Sequence, residues 1–189
     1  MISVLDSPAT RHRFSRIAFD RMVELGVFRP EDRIELLDGE IIDMAPQKSR
    51  HATAVRLVET ALRGIFTQGF DVRSQLPICL NDYSEPEPDI AVVRGAPRDY
   101  RDAHPTTALL IVEIADTSLS YDRQRKLAAY ARAGVAEYWI LDLNRETLEI
   151  CRQPNGDDYD VRILSSRENY ITPLAATNDD KVAVADLLP

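Results

Sequence analysis

Apolar positions recur along this chain at two spacings, three-to-four and two, and the switches between them predict its elements. His51, Val55, Val58, Leu62 and Ile65 fall at i, i+4, i+7, i+11 and i+14, one face of an amphipathic helix over residues 49–66 that Gly69 ends. An earlier helix over about 15–26 begins at Ser15, a natural N-cap, and stops at Gly26. Residues 33–37 and 40–44 flank Asp38-Gly39, a strong hairpin signal. Val72, Ser74, Leu76 and Ile78 alternate and predict a strand over 71–80. A proline-bearing turn at 81–88 leads to a short strand, 89–93, and a loop rich in Pro, Asp and Arg follows to about 107. Leu109 to Ile114 is apolar except at Glu113, the pattern of a strand buried on both faces. Ser120 is placed to cap a helix over 121–133, with Gly134 in the left-handed C-terminal position. Residues 137–142 and 146–151 read as strands around Leu143-Asn144-Arg145. The order predicts an α/β (α+β) fold, a mixed β-sheet flanked by helices with an N-terminal helix and β-hairpin attached. One domain over 14–189 follows a flexible arm at 1–13.

Size agrees with one core: 189 residues, 44% of them hydrophobic, suffice for a single domain. No apolar run is long enough to span a bilayer and the N-terminus lacks a secretory pattern, so a soluble, cytoplasmic protein with no membrane partner is expected. Cys79 and Cys151 lie far apart, and His12, His51 and His104 are scattered, which predicts reduced core thiols and argues against zinc. The net charge of −8 argues against a uniformly positive surface. Carboxylates gathered around a divalent cation would account for part of it. Positive charge clusters locally at Arg11, Arg13 and Arg16, and at Arg123, Arg125, Lys126 and Arg132.

Glu113 changes the picture most. A carboxylate in an apolar inner strand must be protonated, ion-paired or metal-bound, because a buried unpaired charge costs several kcal/mol, roughly. For a lone glutamate an ion pair ranks first. A second acid, Asp89, stands at the start of a neighbouring strand behind Pro88, and if the strands adjoin, a hard cation such as Mg²⁺ would relieve the repulsion between the two. The plainer reading of Asp89 is a Pro-Asp turn. Lys126 shares a helix face with Asp122 and Tyr130, and reads either as a surface ion pair with Asp122 or as an ammonium reaching the two acids.

Together these residues resemble a known family. Pro88-Asp89, Glu113 near the end of an apolar strand, Asp122, Lys126, Tyr130, Gly134-Val-Ala-Glu-Tyr-Trp139 and Asp142 are similar to the Uma family of endonucleases, of the PD-(D/E)XK nuclease superfamily. Glu35-Leu-Leu-Asp-Gly-Glu40, Pro46, His51, Gln75-Leu-Pro and the closing Asp186-Leu-Leu-Pro189 extend the resemblance over about 14–189. It implies a restriction endonuclease-like core and a Mg²⁺-dependent endodeoxyribonuclease, with Mn²⁺ as a possible substitute. The superfamily lysine would stand at 115, where this chain has Ala115; the resemblance implies that Lys126 has taken over from the helix.

By that resemblance Asp89 and Glu113 are metal ligands, joined by a main-chain carbonyl near Ile114, and with Lys126 and Glu35 they form the catalytic set. Asp122 would hydrogen-bond Lys126, and Gln75 would support the site. His51 reads first as a satisfied histidine at the end of the apolar stripe and second as a side chain aimed into the site. Tyr138 and Trp139 are expected in the core. DNA is the expected partner, with Arg123 and Arg125 on its phosphates, and a homodimer is expected by analogy with double-strand cutting. Two rivals remain: a catalytically inactive nucleic-acid-binding or protein-interaction module, and a hydrolase of small phosphate esters.

Overall fold

The structure is a computed structural model, and it describes residues 11–29 and 31–189. Residues 1–10 of the expected arm lie outside the described residues. Just beyond them, Arg11 donates to Glu40 at 3.0 Å and Arg13 to the Asp38 carbonyl at 2.8 Å. Helix α1, Arg16–Glu24, starts where Ser15 predicts, with the Ser15 hydroxyl accepting from the Ala18 amide at 3.2 Å. Strands β1, Ile34–Leu37, and β2, Glu40–Asp43, form the expected hairpin. Asp38 and Gly39 both take positive φ, 53° and 79°, the two-residue turn whose twist suits the strands. Gly39 is also sterically required, since a Cβ there would lie 2.7 Å from Arg13 Cβ.

Helix α2, Ser49–Ile65, turns Ala54, Val55, Val58 and Leu62 inward. It packs on a six-stranded sheet in which β3 (Phe70–Ser74), β4 (Ile90–Arg94), β5 (Leu110–Ala115), β6 (Glu137–Asp142), β7 (Thr147–Asn155) and β8 (Asp158–Ser166) are neighbours in that order. Every adjacent pair is antiparallel except β5 and β6, so the sheet is mixed. A parallel pair needs a crossover. Here it is helical throughout its middle: α3 (Leu119–Tyr121), a π-helical turn (Asp122–Lys126) and α4 (Leu127–Arg132).

Two apolar layers result. Val72, Val92, Val112, Ile114 and Trp139 meet α2 and the C-terminal Val184–Leu187 turn, while Val93, Ile111, Tyr138 and Ile140 meet α4. Alternation along β5 therefore sends Val112 and Ile114 to one layer and Ile111, Glu113 and Ala115 to the other. A short pair, β9 (Tyr170–Ile171) and β10 (Val182–Ala183), adjoins the α2 layer. Among the described residues no helix is long and apolar enough to cross a membrane.

The structure departs from the sequence expectations in three places. The strand expected over 71–80 ends at Ser74, because Gln75 adopts φ 53° and gives its amide to the Asp89 carbonyl at 3.1 Å. Leu76 is consequently exposed and Ile78 enters the α4 layer from a loop. Ser120 is not a cap: the chain is already helical at Leu119, and Ser118 begins the turn, its carbonyl accepting from the Asp122 amide at 3.0 Å. The strand expected to stop at Cys151 runs on to Asn155 and returns as β8, which periodicity did not predict. Asn155-Gly156 was the available signal, with Gly156 at φ 60° and Asn155 paired to Asp158.

Candidate active site

β4 and β5 run antiparallel with Ile90 opposite Val112. One further step in that register sets Asp89, at the entrance to β4, opposite Glu113, near the exit of β5. Twenty-four positions of chain are thereby closed by a single strand pairing. Both acids line a cleft of about 540 Å³ between the sheet end, the β1–β2 hairpin and the start of α2.

Asp89 is held from three directions. His51 Nε2 lies 3.1 Å from Oδ2, the Ile114 amide donates to the same oxygen at 2.8 Å, and Gln75 Nε2 donates to Oδ1 at 3.2 Å. Burial opposes ionisation of this carboxyl, but the His51 bond, the nearby Lys126 charge and the Ile114 amide outweigh it and hold its pKa below the usual range. The Asp89 hydrogen bond correspondingly raises the His51 pKa against the effect of burial. His51 thus points into the site rather than resting in the apolar stripe.

Glu113 is bound on one side only. Its Oε1 accepts from Lys126 Nζ at 2.9 Å and from the Tyr130 hydroxyl at 2.7 Å, while no side-chain bond to Oε2 is present among the described residues. Burial first, then repulsion from Asp89, Asp122 and Glu35, push this carboxyl up to about 8, although Lys126 works against them. Lys126 is itself buried, and the charges of Glu113, Glu35 and Asp122 overcome its desolvation to keep it cationic. Its ammonium also lies 3.4 Å from Glu35 Oε2, an oxygen that accepts the Glu87 amide at 3.1 Å. Asp89, Glu113, Lys126 and Glu35 are therefore gathered at one place, with His51 and Gln75 behind Asp89. The ion-pair reading of Glu113 and the reading of Lys126 as a member of the site are both realised, by the same 2.9 Å contact.

Other expected residues sit differently. Asp122 accepts from Ser118 Oγ at 2.6 Å rather than from Lys126, and its carboxyl is pushed up to about 6, by burial above all. Arg123 and Arg125 are each engaged within the chain, on Glu149 at 2.7 Å and on Glu40 at 3.0 Å. Tyr138 and Trp139 are fully buried in the two apolar layers, as expected. Sequence reasoning gave no role to Tyr130, although its spacing of four from Lys126 was the signal. It also passed over Glu87 and Tyr121, whose hydroxyl lies 3.4 Å from Glu35 Oε1. Glu87 lines the cleft with its pKa raised, chiefly by burial.

The donor chemistry suits a hard cation. Among the described residues no three His, Cys, Asp or Glu side chains converge on a common point, so the protein offers carboxylates in pairs rather than a closed cage. Mg²⁺ tolerates that, since it commonly keeps several waters and takes one or two carboxylates. Oε2 of Glu113, which carries neither of these bonds, is the atom such an ion would take when the carboxyl is ionised.

Comparison with known proteins bears on family and fold. The family model Uma2, described as "Putative restriction endonuclease", matches residues 18–184. The chain belongs to the Uma2 family. Among solved structures, a "putative nuclease belonging to DUF820" from Anabaena variabilis ATCC 29413 superposes with a TM-score of 0.67 over 87% of this chain and 94% of that one, at 15% identity. At that identity the likeness is one of fold, and it places this Uma2 chain in the mixed-sheet nuclease architecture that its sequence resembles. No curated protein matches the sequence.

Proposed function

We propose that this Uma2 protein is a Mg²⁺-dependent endonuclease that hydrolyses phosphodiester bonds in DNA. The observation that carries the reading is the meeting of Asp89 and Glu113 across the β4–β5 pair, with Lys126 2.9 Å from Glu113. Asp89 and Glu113 would hold the cation, with a main-chain carbonyl near Ile114 as a further oxygen donor. When bound, the cation supplies polarisation of the phosphate and a lowered pKa for the attacking water.

The chain's own groups do the rest. Gln75, His51 and the Ile114 amide fix both Asp89 oxygens before substrate arrives, so the carboxylate need not reorganise. Lys126, pinned between Glu113 and Glu35, presents a fixed positive charge at the cleft floor, where it can steady the attacking water or the charge growing on the phosphate oxygens. Ala115 is adjacent to Glu113 on the same face and carries nothing longer than a methyl group; Lys126 enters from α4's side of the sheet into that space. This supports the lysine's transfer to the helix. Cutting both strands of a duplex calls for two such sites, hence a homodimer on the DNA.

The test is cleavage of supercoiled and linear duplex DNA with Mg²⁺ or Mn²⁺. Cutting is expected in the parent and absent in Asp89→Asn, Glu113→Gln and Lys126→Ala. Cutting by all three variants at the parental rate overturns the assignment. Absence of both saturable Mn²⁺ binding and cutting would favour the inactive module instead.

A further inference from the structure

The cleft must accept a polyanion although its floor carries Glu35, Glu87, Asp89 and Glu113. A divalent cation offsets part of that charge at the scissile phosphate, but neighbouring phosphates need cations of their own. The arginines that sequence clustering offered for this, Arg123 and Arg125, are occupied by Glu149 and Glu40. Two other cations line the cleft wall, Arg33 and Lys48, and neither is within ion-pair distance of a carboxylate among the described residues, although the Arg33 charge acts on Glu87. Arg33 opens β1 and Lys48 precedes the first turn of α2. The Met44 amide donates to the Arg33 carbonyl at 2.8 Å, which extends the β1–β2 pairing by one step and fixes the backbone at Arg33. Arg33 and Glu87 also line a second hollow, beside α1, so Arg33 stands where two depressions meet. That hollow is also lined by Asp20, Glu24, Asp32 and Glu85, so a phosphate chain would keep to the Arg33–Lys48 wall rather than enter it.

Resting on the nuclease reading, we infer that Arg33 and Lys48 form a phosphate-positioning wall, each holding a backbone phosphate next to the scissile one, and that the site is built for a polymer rather than for small phosphate esters. An unpaired cation is the group available for this, because an arginine already on a carboxylate must give up that partner before it can take a phosphate. The contribution is electrostatic and sequence-independent, so it fixes register without reading bases.

The experiment uses the full chain and a fluorescently labelled mixed-sequence duplex, with binding measured in Ca²⁺ over a range of salt and cleavage in Mg²⁺. Arg33→Ala and Lys48→Ala should each weaken binding several-fold and lower the slope of log affinity against log salt by about 0.9. Lys181→Ala, which removes an equal charge from an exposed site outside the cleft, should leave the slope unchanged. For cleavage, KM should rise while kcat holds, and hydrolysis of a nitrophenyl phosphodiester should stay at the parental rate in both variants. Arg33→Lys and Lys48→Arg should restore most of the slope. If the parent cuts DNA but the two alanine variants keep its slope and KM, the wall is wrong and the nuclease reading stands. If the parent cuts nothing yet both variants flatten the slope, the nuclease reading fails and the phosphate wall survives. If the parent neither binds nor cuts, both fall.

Discussion

Glu113 and Glu137 are buried carboxylates on adjacent strands at opposite ends of the same sheet, and their surroundings differ in one respect that matters. Glu137 has both oxygens filled: Oε1 takes two bonds from Arg152, at 2.8 and 2.6 Å, and one from Trp139 at 3.0 Å, and Oε2 takes the Leu174 amide at 2.6 Å. Arg152 also reaches the Thr172 carbonyl at 2.8 Å, so the network staples the C-terminal segment to the sheet. Glu113 has two donors crowded on one oxygen and an empty second oxygen at a cleft. Burial alone therefore does not distinguish a carboxylate that holds a fold together from one kept ready for a ligand. Between these two, what differs is the acceptor left over at the cleft.

Substitutions can break this comparison at either end. Glu137→Ala is expected to cost about 3–5 kcal/mol of stability, the scale of stranding a buried charge, while the rate per folded molecule survives. Denaturant midpoints read beside specific activity would show it. Glu113→Gln should do the reverse, lowering the cleavage rate by about 10²–10³-fold, as loss of a charge-stabilising group does, with little change in midpoint. Equal loss of stability in both variants would erase the distinction.

Metal and pH sharpen it further. Saturating Mg²⁺, at a hundred times its Kd, should stabilise the parent and Glu137→Gln by about 2.7 kcal/mol and Glu113→Gln far less, measured by thermal melting. Glu113 has a folded-state pKa of about 8, well above its unfolded value near 4.3. Its contribution in the metal-free protein is full below the unfolded value and lost as pH rises through about 8. Because the ion needs the ionised carboxylate, Mg²⁺ should raise Tm more above pH about 8 than near pH about 6. The smallest effect is expected from Tyr130→Phe, about 1 kcal/mol for one hydrogen bond, with Lys126 left as the remaining donor on Glu113.

The fold was legible wherever periodicity or a turn dipeptide was strong. Asp38-Gly39, Ser15 and the α2 stripe each carry their conformation locally, and β5 declared its burial through composition. Gln75 and Asn155 mark the limits. At Gln75 the strand is cut short by a bond to Asp89, which lies fourteen residues away and has no local trace. At Asn155 the turn signal was present, but weak alternation beyond it hid β8, an edge strand with exposed Leu164. In the site, Asp89, Glu113, Lys126 and Glu35 were readable because several separated motifs pointed to one architecture. The side chains beside them, Tyr130, Tyr121, Glu87, Arg33 and Lys48, depend on which neighbours each finds in space. Charge clustering along the chain misled for a related reason: Arg123 and Arg125 look free in sequence, and only the fold supplies Glu149 and Glu40.

The π-helical turn at Asp122–Lys126 carries one last consequence. The extra winding lies between Asp122 and Lys126, whereas Lys126 and Tyr130 keep the regular four-residue spacing of α4 and meet at Glu113 Oε1. The widened turn therefore sets the pair's direction relative to Asp122, which bonds Ser118 instead of Lys126. The lysine's aim is thus set by one extra residue of winding, and removing that residue would swing it aside while the helix persisted. One deletion in that turn would thus abolish the proposed activity while leaving the scaffold intact.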